Sequence, residues 1–578
     1  MILPSIVAIA QICASLGIRR AVISPGSRSA PLTIALVRHP DIQTYTVSDE
    51  RSAAFIGLGM ARQHQSPVAL VCTSGSAAYN YAPAIAEAYF QQIPLVVFTA
   101  DRPPEWIDQL DGQTIRQQGI YGKHVKAGYE LPVGQTEMDF WYATRQVAEA
   151  INLSQTAPYG PVHVNVPIRE PFYPEKNEEI NFDPAVKVVR TVPGSLALSA
   201  VQLQQLQTEW NGYERKLIVA GQQPLHSELS EVVGSLSQQQ QIPVVADIIS
   251  NLHPASAAIK HADNFLSAGD DEAFTALRPD LLITFGLSVI SKNLKIFLRK
   301  NRPQAHWHIQ PSGTAADTFQ SLTRVLHTEP ASFFQQTKSW EVSSRAAGFY
   351  QAWATKEQQI TKKLQTFFEQ PEVSASEFQA VFEVLKQLPD QTNVHLANSM
   401  AVRYANLIGL PGHQSQIEVW ANRGTSGIDG SSSTAVGAAL ASDRLNVLIT
   451  GDLAFFYDRN AFWHNYSLPN LRIVLLNNHA GGIFRMIDGP RQQPELEEYF
   501  ETKQSLKAKN TARDFGMEYH QLDFTRTDTA DKLNALLPGF FHGSSDHAKL
   551  LEIVTDSEAN ASVFRQFKNM IGKQETED

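Results

Sequence analysis

Val447-Leu448-Ile449-Thr450-Gly451-Asp452-Leu453 and Ile473-Val474-Leu475-Leu476-Asn477-Asn478-His479-Ala480-Gly481-Gly482 are each an apolar run that breaks into small and polar residues. Such short, β-branched runs read as strands buried on both faces, hence as strands of a parallel sheet. Asp452 and Asn478 lie 26 residues apart, which leaves room for one helical crossover between neighbouring strands. Their side chains then converge at the carboxyl edge of the sheet, where open α/β sheets bind ligands. Either dipeptide alone reads as a turn. Together, Asp452, the side-chain oxygen of Asn478 and the carbonyl of Ala480 form an oxygen-only set suited to a hard cation such as Mg²⁺, with phosphate oxygens completing the shell. Gly481 and Gly482 let backbone come close to a phosphate.

Working outward, the same alternation of apolar runs and helical stretches fills the chain. Strands are expected at 21–24, 42–47, 68–72, 95–99 and 162–166, then at 217–220, 244–246, 281–285 and 306–309. A last set falls at 394–396, 447–450, 473–476 and 551–554. A Pro- and Glu-containing stretch at 171–193 reads as a linker, and 343–377 reads as a polar helical connector. The fold class is therefore α/β, three doubly wound parallel-sheet domains. Expected boundaries are 1–180, 190–345 and 375–578, consistent with 578 residues being too many for one core.

Composition excludes several classes. Hydrophobic residues are 43% and charged residues 18% of the chain, as in globular proteins, so disorder is expected only in the polar tail 572–578. The formal charge of −10 argues against a nucleic-acid partner, while leaving room for a local basic pocket. Two cysteines, Cys13 and Cys72, make neither a disulfide framework nor a metal motif, which fits a reducing cytoplasm. At the N-terminus, Arg19 and Arg20 follow the apolar run instead of preceding it, unlike a secretory signal. Ile6, Ile9, Ala10 and Cys13 share one helical face, so this segment is an amphipathic helix. No stretch reads as a membrane span.

Strand ends elsewhere carry further candidates. The expected strand 42–47 leads into Ser48-Asp49-Glu50-Arg51 and a small-residue helix at 52–62. Asp49 reads as that helix's cap. Arg28, Arg102, Arg403 and Arg423 follow strands or sit among Gly and Ser residues, where a guanidinium fork suits carboxylates. Each alone is compatible with a surface ion pair. His124 and His479 lie near these motifs without the partners of a catalytic triad.

Five further motifs complete a signature. They are Pro25-Gly26-Ser27-Arg28-Ser29, Ala100-Asp101-Arg102-Pro103-Pro104-Glu105, Gln113-Thr114-Ile115-Arg116-Gln117, Asn398-Ser399-Met400-Ala401-Val402-Arg403 and Asn422-Arg423-Gly424-Thr425-Ser426-Gly427-Ile428-Asp429-Gly430. With Gly451-Asp452-Leu453, where most thiamine-diphosphate enzymes have Gly-Asp-Gly, the chain closely resembles the 2-succinyl-5-enolpyruvyl-6-hydroxy-3-cyclohexene-1-carboxylate synthases of menaquinone biosynthesis. The resemblance implies thiamine diphosphate and Mg²⁺ (or Mn²⁺) as cofactors. It also implies a transferase that decarboxylates 2-oxoglutarate and adds the remaining fragment to isochorismate.

Residue by residue, the resemblance assigns Glu50 to the cofactor's pyrimidine ring, where it promotes activation of the thiazolium. Gly451, Asp452, Leu453 and Asn478 fall at the diphosphate and metal, with Ala480 a metal ligand. Ile428 is the bulky residue that keeps the cofactor bent. Ser27, Arg28, Arg102, Gln113, Lys292, Ser399, Arg403 and Arg423 match substrate positions, and Ile483 and Phe484 match the pocket wall. From sequence alone, Ile428, Ile483 and Phe484 would look the same as core residues. Asn293, next to Lys292, is basic in some relatives, which bears on nearby carboxylate recognition. The resemblance further implies a cytoplasmic homodimer or dimer of dimers, with active sites between chains.

Two other readings compete. One is another thiamine-diphosphate decarboxylase or carboligase. The basic set and Gly-Asp-Leu argue against it, since pyruvate offers one carboxylate. The other is a non-catalytic cofactor-binding regulator on the same fold. Glu50 argues against that, because a binding module needs no proton-relay carboxylate. No GxGxxG follows a strand to support a dinucleotide oxidoreductase.

Overall fold

The computed structural model describes residues 4–572 except 171, 176–177, 184–185, 193, 195, 256, 268–273, 374, 412–415 and 527–528. The polar tail from 573 onward and parts of the expected linker at 171–193 lie outside the described residues. The first sheet contains β1 (Arg20–Ile23), β2 (Gln43–Thr46), β3 (Val68–Cys72), β4 (Leu95–Asp101), β5 (Gly128–Glu130) and β6 (Val162–Pro167), in the order β2-β1-β3-β4-β6-β5. The second contains β7 (Lys216–Ala220), β8 (Val244–Ala246), β9 (Leu281–Phe285), β10 (Ala305–Gln310) and β11 (Arg324–His327), in the order β11-β10-β9-β7-β8. The third contains β12 (Asn393–Leu396), β13 (Glu418–Trp420), β14 (Asn446–Gly451), β15 (Leu471–Asn477), β16 (Glu518–Asp523) and β17 (Lys549–Val554), in the order β13-β12-β14-β15-β17-β16. The pairings are parallel, and the expected α/β class with three parallel sheets is the observed one.

The chain divides into two compact units. One comprises 1–194, 422–443 and 454–471; the other comprises 195–421, 444–453 and 472–578.

Each sheet has a point where strand order reverses, and there the loops diverge to leave a crevice. In the first sheet it lies between β1 and β3. Ile23 stands opposite both Thr46 and Val71, so the chain leaves β1, β2 and β3 at one level, toward Gly26, Glu50 and Thr73. In the third sheet it lies between β12 and β14, ahead of Ser399 and Asp452. The second sheet is different. At its reversal, between β7 and β9, a Cβ on Gly221 would sit 2.2 Å from the Leu287 carbonyl oxygen, and one on Gly286 would sit 2.8 Å from that of Gly221. Backbone bonds from Gly221 N to Phe285 O (2.8 Å) and from Leu287 N to Gln222 O (2.9 Å) close this crevice with the protein's own chain. Only glycine permits such an approach, and the middle sheet is left without room for a ligand at its switch point.

In the first unit, helix Glu50–His64 crosses helix Ser431–Leu440 with backbones in contact. A Cβ on Gly59 would lie 2.1 Å from Thr434 O, and one on Gly437 2.0 Å from Ile56 O. Glycine within a helix costs about 1 kcal/mol relative to alanine; the crossing accounts for Gly59 and Gly437, while a Cβ on Gly57 would instead meet Leu70 of β3 at 2.4 Å. The helix begins two residues earlier than expected, because Asp49 caps it by accepting from Arg51 N (2.9 Å) and Ser52 N (3.2 Å). The N-terminal helix Pro4–Ser15 buries Ile6, Ile9, Ala10 and Cys13 as expected, and both cysteines are buried and free. Among the described residues no helix is long and apolar enough to cross a membrane.

In the second unit, buried His261 is held on both ring nitrogens. Nδ1 meets Glu357 Oε1 at 2.7 Å and Nε2 meets Ile408 O at 2.9 Å, while His261 N donates to Glu357 Oε2 at 3.0 Å. Two acceptors require a doubly protonated ring. Burial opposes that charge, but Glu357 outweighs it and His261 is raised above its ordinary 6.5; Glu357 is correspondingly lowered. The histidine's contribution is full below pH 6.5 and is lost as pH rises through the raised folded-state value. The carboxylate's contribution fails only as pH falls below its ordinary 4.5. Urea midpoints of wild type and His261→Gln should therefore differ most near pH 6 and converge toward pH 9. An equal gap at both pH values would contradict the doubly protonated ring.

Candidate functional site

The carboxyl edge of the first sheet gathers most of the candidates of the first unit. Glu50 is the first residue of helix Glu50–His64, half-buried, and accepts from Asn80 Nδ2 at 3.2 Å on Oε2. Its segment is gripped on both sides. Asn460 Nδ2 donates to Asp49 at 2.8 Å; Arg51 donates to Tyr457 O at 2.8 Å and lies 4.6 Å from that tyrosine's ring centroid. Nearby, a Cβ on Gly26 would fall 2.2 Å from Thr73 Cβ, and Thr73 Oγ1 and Ser74 Oγ are buried without hydrogen-bond partners. Unsatisfied hydroxyls are costly in a finished interior; at a strand-end crevice they are groups awaiting a polar ligand.

Ser27 is exposed on the loop after β1, and Arg28 beside it is buried, donating to Ile168 O at 2.9 Å and stacking 4.5 Å over Phe172. Burial and the charge of Arg102 both lower the Arg28 pKa, against Glu170, Asp111 and Asp101. Two guanidiniums close enough to repel each other favour an anion between them. Arg102 is itself held by Asp111 (3.2 Å) and Gly112 O (2.9 Å). Gln113 is exposed with φ +57° and packs its backbone beside Gly75. The loop carrying these residues is tied down by Gln117, which accepts from Gly75 N (2.8 Å) and donates to Ala100 O (3.1 Å) and Asn165 (2.9 Å). Asn165 also bridges Asp101 and Glu130 at 2.8 and 2.9 Å. Burial raises both carboxyls and lowers His163, below the same strands, to about 4, which keeps it neutral.

Arg423 and Ile428 share the loop 422–430 of the first unit. Arg423 is half-buried and Ile428 is 38% exposed, so Ile428 is not a core isoleucine of this chain.

In the second unit, Asp452, Asn478 and Ala480 come together at the ends of β14 and β15. Asp452 is 2% exposed and accepts from Leu453 N (2.8 Å) and Gln504 Nε2 (2.7 Å). Asn478 has a fixed amide: Nδ2 donates to Glu377 at 2.8 Å and Oδ1 accepts from Ala480 N at 2.9 Å. The Ala480 carbonyl accepts from Gly482 N at 2.9 Å and keeps a second lone pair. A Cβ on Gly482 would lie 2.8 Å from Asn478 Nδ2, so the cradle requires glycine there. Gly451 has open space around its Cα, and Leu453, half-buried, comes within 3.3 Å of where a Gly481 Cβ would be.

Burial pushes the Asp452 carboxyl up to about 6, and burial together with Asp452 pushes Glu377 up to about 8. Two buried carboxyls with only neutral amide, hydroxyl and backbone donors beside them form a site short of positive charge, which a divalent cation would supply. Among the described residues no three His, Cys, Asp or Glu side chains group around a metal position, so a cation here would need amide, carbonyl and diphosphate oxygens to complete its shell. The residues present fit a metal diphosphate.

Across the β12–β14 switch point, Ser399 has φ +76° and precedes helix Met400–Ile408, and Arg403 on its first turn donates to Ser399 O at 2.5 Å. A non-glycine residue held at positive φ is strained, and such strain concentrates at functional positions. Ile483 and Phe484 form the short helix Ile483–Met486, half-buried, with Phe484 5.8 Å from Phe500. Lys292 is the exposed first residue of helix Lys292–Lys300. Its neighbour Ser291 and the buried Asp247 both bond Asn406, one turn beyond Arg403. Asn293 is occupied by Asp263 through N (2.7 Å) and Nδ2 (2.9 Å to the carbonyl), and so holds the helix start instead of facing outward.

Sequence reasoning missed the groups that orient the candidates. Asn80 ends the short helix Ser76–Asn80 that follows β3 and was open to the strand-end rule. Glu377, Gln504 and Asp247 sit at a helix cap, in a long loop and before a 3₁₀ turn, where nothing in their spacing marks them. The crossover between β14 and β15 is also not one long helix but helix Asp452–Tyr457 followed by a 3₁₀ turn at Arg459–Phe462.

The described geometry can be set beside known proteins. A family profile described as thiamine pyrophosphate enzyme, N-terminal TPP binding domain, matches residues 7–120, and one described as middle domain of thiamine pyrophosphate matches residues 195–396. With three parallel sheets and these strand-end residues, they define a thiamine pyrophosphate-dependent enzyme. A 2-succinyl-5-enolpyruvyl-6-hydroxy-3-cyclohexene-1-carboxylate synthase of Cytophaga hutchinsonii is 47% identical over 96% of each chain. Proteins of the same name from Flavobacterium psychrophilum (38%, over 98% of this chain and 99% of the relative) and Bacteroides thetaiotaomicron (36%, over 96% of each) are also similar. The chain belongs to the 2-succinyl-5-enolpyruvyl-6-hydroxy-3-cyclohexene-1-carboxylate synthase family.

Proposed function

We propose that the chain decarboxylates 2-oxoglutarate and joins the remaining four-carbon fragment to isochorismate by 1,4-addition, as a transferase of menaquinone biosynthesis. The observation that carries this reading is the 47% identity over 96% of both chains to a synthase of that name. When bound, thiamine diphosphate supplies the carbon nucleophile and the electron sink. The protein's part is to hold, orient and exchange a proton. Glu50 holds the pyrimidine ring and governs its proton, with Asn80 fixing its other oxygen. Asp452, Asn478 Oδ1 and the Ala480 carbonyl would hold Mg²⁺ or Mn²⁺, Gly451 and Leu453 would border the diphosphate, and Ile428 would pack against the cofactor. Ser27, Arg28, Arg102, Gln113, Lys292, Ser399, Arg403 and Arg423 receive the substrates' carboxylates and hydroxyls, while Ile483 and Phe484 exclude water. Glu50 and Asp452 serve opposite ends of one cofactor. The family resemblance assigns these ends to different chains, which supports a homodimer or dimer of dimers acting in the cytoplasm. Domain boundaries near 180–190 and 345–375 belong to the same proposal.

The test is a product assay with both substrates, with and without thiamine diphosphate and Mg²⁺. CO₂ release that is equal with and without isochorismate, and yields no adduct, would identify a plain 2-oxo acid decarboxylase instead. Arg403→Ala should weaken transition-state binding by about 2–5 kcal/mol, as when a buried charge loses its partner, with cofactor affinity and melting temperature unchanged. Wild-type kinetics would return Arg403 to a structural role.

A further inference from the structure

The loop 422–430 carries Arg423 at one end and Ile428 near the other, and its two ends are held by different means. At the Ile428 end, a Cβ on Gly430 would strike the Phe55 ring at 2.3 Å; Asn422 Nδ2, next to Arg423, ties the two ends together by reaching Gly430 O at 3.4 Å and Thr434 Oγ1 at 3.0 Å. Just past Arg423, one carboxylate gathers the next two residues. Glu87, on helix Ala82–Phe90 and 1% exposed, accepts from Gly424 N at 2.7 Å on Oε1 and from Thr425 N and Thr425 Oγ1, both at 2.6 Å, on Oε2. Gln91 Nε2 donates to the same Oε1, and Arg62, on the helix that begins with Glu50, donates to Gln91 at 3.2 Å. A Cβ on Gly424 would lie 2.7 Å from Glu87 O, so loop and helix backbone are already in contact. No cation touches Glu87 directly in these contacts. Its charge is satisfied by four donors, three of them from the two residues that follow Arg423.

We infer that Glu87 is a positioning residue for the acceptor substrate: by clamping Gly424 and Thr425 it fixes the direction from which Arg423 meets a carboxylate of isochorismate. The inference rests on the functional reading above. A buried carboxylate is the group suited to this task, because it offers two acceptor atoms in one plane to converging N–H groups, and charge-assisted bonds are short and directional. A glutamine in its place must turn an NH₂ group toward one set of donors. Glu87's bonds to the loop go to Gly424 and Thr425, beside Arg423 and away from Ile428, so the clamp should affect the acceptor's binding and spare the cofactor's.

The experiment uses the full chain loaded with thiamine diphosphate and Mg²⁺, with isochorismate varied at saturating 2-oxoglutarate. Glu87→Gln is expected to raise the isochorismate KM by about tenfold or more, the scale of a lost hydrogen bond to a charged group, with kcat and cofactor affinity changed by less than about threefold. Thr425→Val removes one donor from an exposed loop residue and should shift KM in the same direction by less, and it carries the test should Glu87→Gln not fold. In an Arg423→Ala background either change should alter KM by less than about twofold, since both act through the guanidinium that is gone. A folded Glu87→Gln enzyme with wild-type KM overturns the inference. So does an effect of equal size with and without Arg423, which marks a general staple. If Arg423→Ala itself leaves the isochorismate KM unchanged, the assignment of Arg423 falls as well.

Discussion

Replacing Asp452 by alanine is expected to abolish Mg²⁺-dependent binding of thiamine diphosphate, raising its dissociation constant at least about 100-fold. The estimate follows from charge. Removing one partner of a buried ionic group costs about 3–5 kcal/mol, and each 1.4 kcal/mol is a factor of about ten in affinity. Asp452 is the only carboxylate among the three candidate metal-holding groups. Glu377, the other acid nearby, is committed to Asn478 Nδ2 (2.8 Å) and Thr555 Oγ1 (3.2 Å). The obvious confusion would be with misfolding, and the electrostatics separate the two. Burial raises the folded-state Asp452 pKa to about 6 from its ordinary 3.8, so without a cation its charge destabilises the fold at neutral pH. Asp452→Asn should accordingly melt no lower than wild type when both are free of cofactor, yet fail to gain stability on adding thiamine diphosphate and Mg²⁺. Calorimetry that shows unchanged cofactor affinity in either variant removes Asp452 from the metal site.

Most strands legible in the sequence have side chains buried on both faces; β2, expected at 42–47, is an edge strand with largely exposed positions. β3, β8 and β9 fall at the expected residues, and β4, β14 and β15 are two to three residues longer than expected. β5, β11, β13 and β16 were not expected at all. β5, β11 and β16 are edge strands with exposed polar positions, and β13 is three residues long; none carries a sustained apolar run. Burial on both faces produces the signal, and these four strands have too little of it.

The candidate site divides along similar lines. Candidates such as Ser27, Glu50, Arg102, Ser399, Asp452 and Asn478 sit just past a strand and can be found by that rule. Residues that aim them do not: Glu87 lies mid-helix, Gln504 in a long loop, and Glu377 behind a capping serine. The backbone strain at Gln113, Ser399, Ser426 and His479, all at positive φ, was equally invisible, because none is the glycine or asparagine that usually marks such a conformation.

Glu50→Gln is expected to bind thiamine diphosphate with near-normal affinity and to lose turnover by about 100-fold or more, the scale of removing a positioned proton-transfer group. The substitution keeps the length of the side chain and an oxygen able to accept from Asn80 Nδ2, so the start of helix Glu50–His64 should not move. Its cap belongs to Asp49, whose bonds to Arg51 N, Ser52 N and Asn460 are untouched. What changes is the capacity to stabilise a proton on the pyrimidine ring, which an amide cannot do. The loss should therefore appear in kcat with both substrates, and in the exchange of the cofactor's thiazolium proton with solvent measured without any substrate. That second measurement isolates Glu50 from the arginines, because they have nothing to bind in it. Slow turnover with normal proton exchange would move Glu50 from the cofactor to a later step. Near-normal turnover would leave it as no more than the first residue of a well-capped helix.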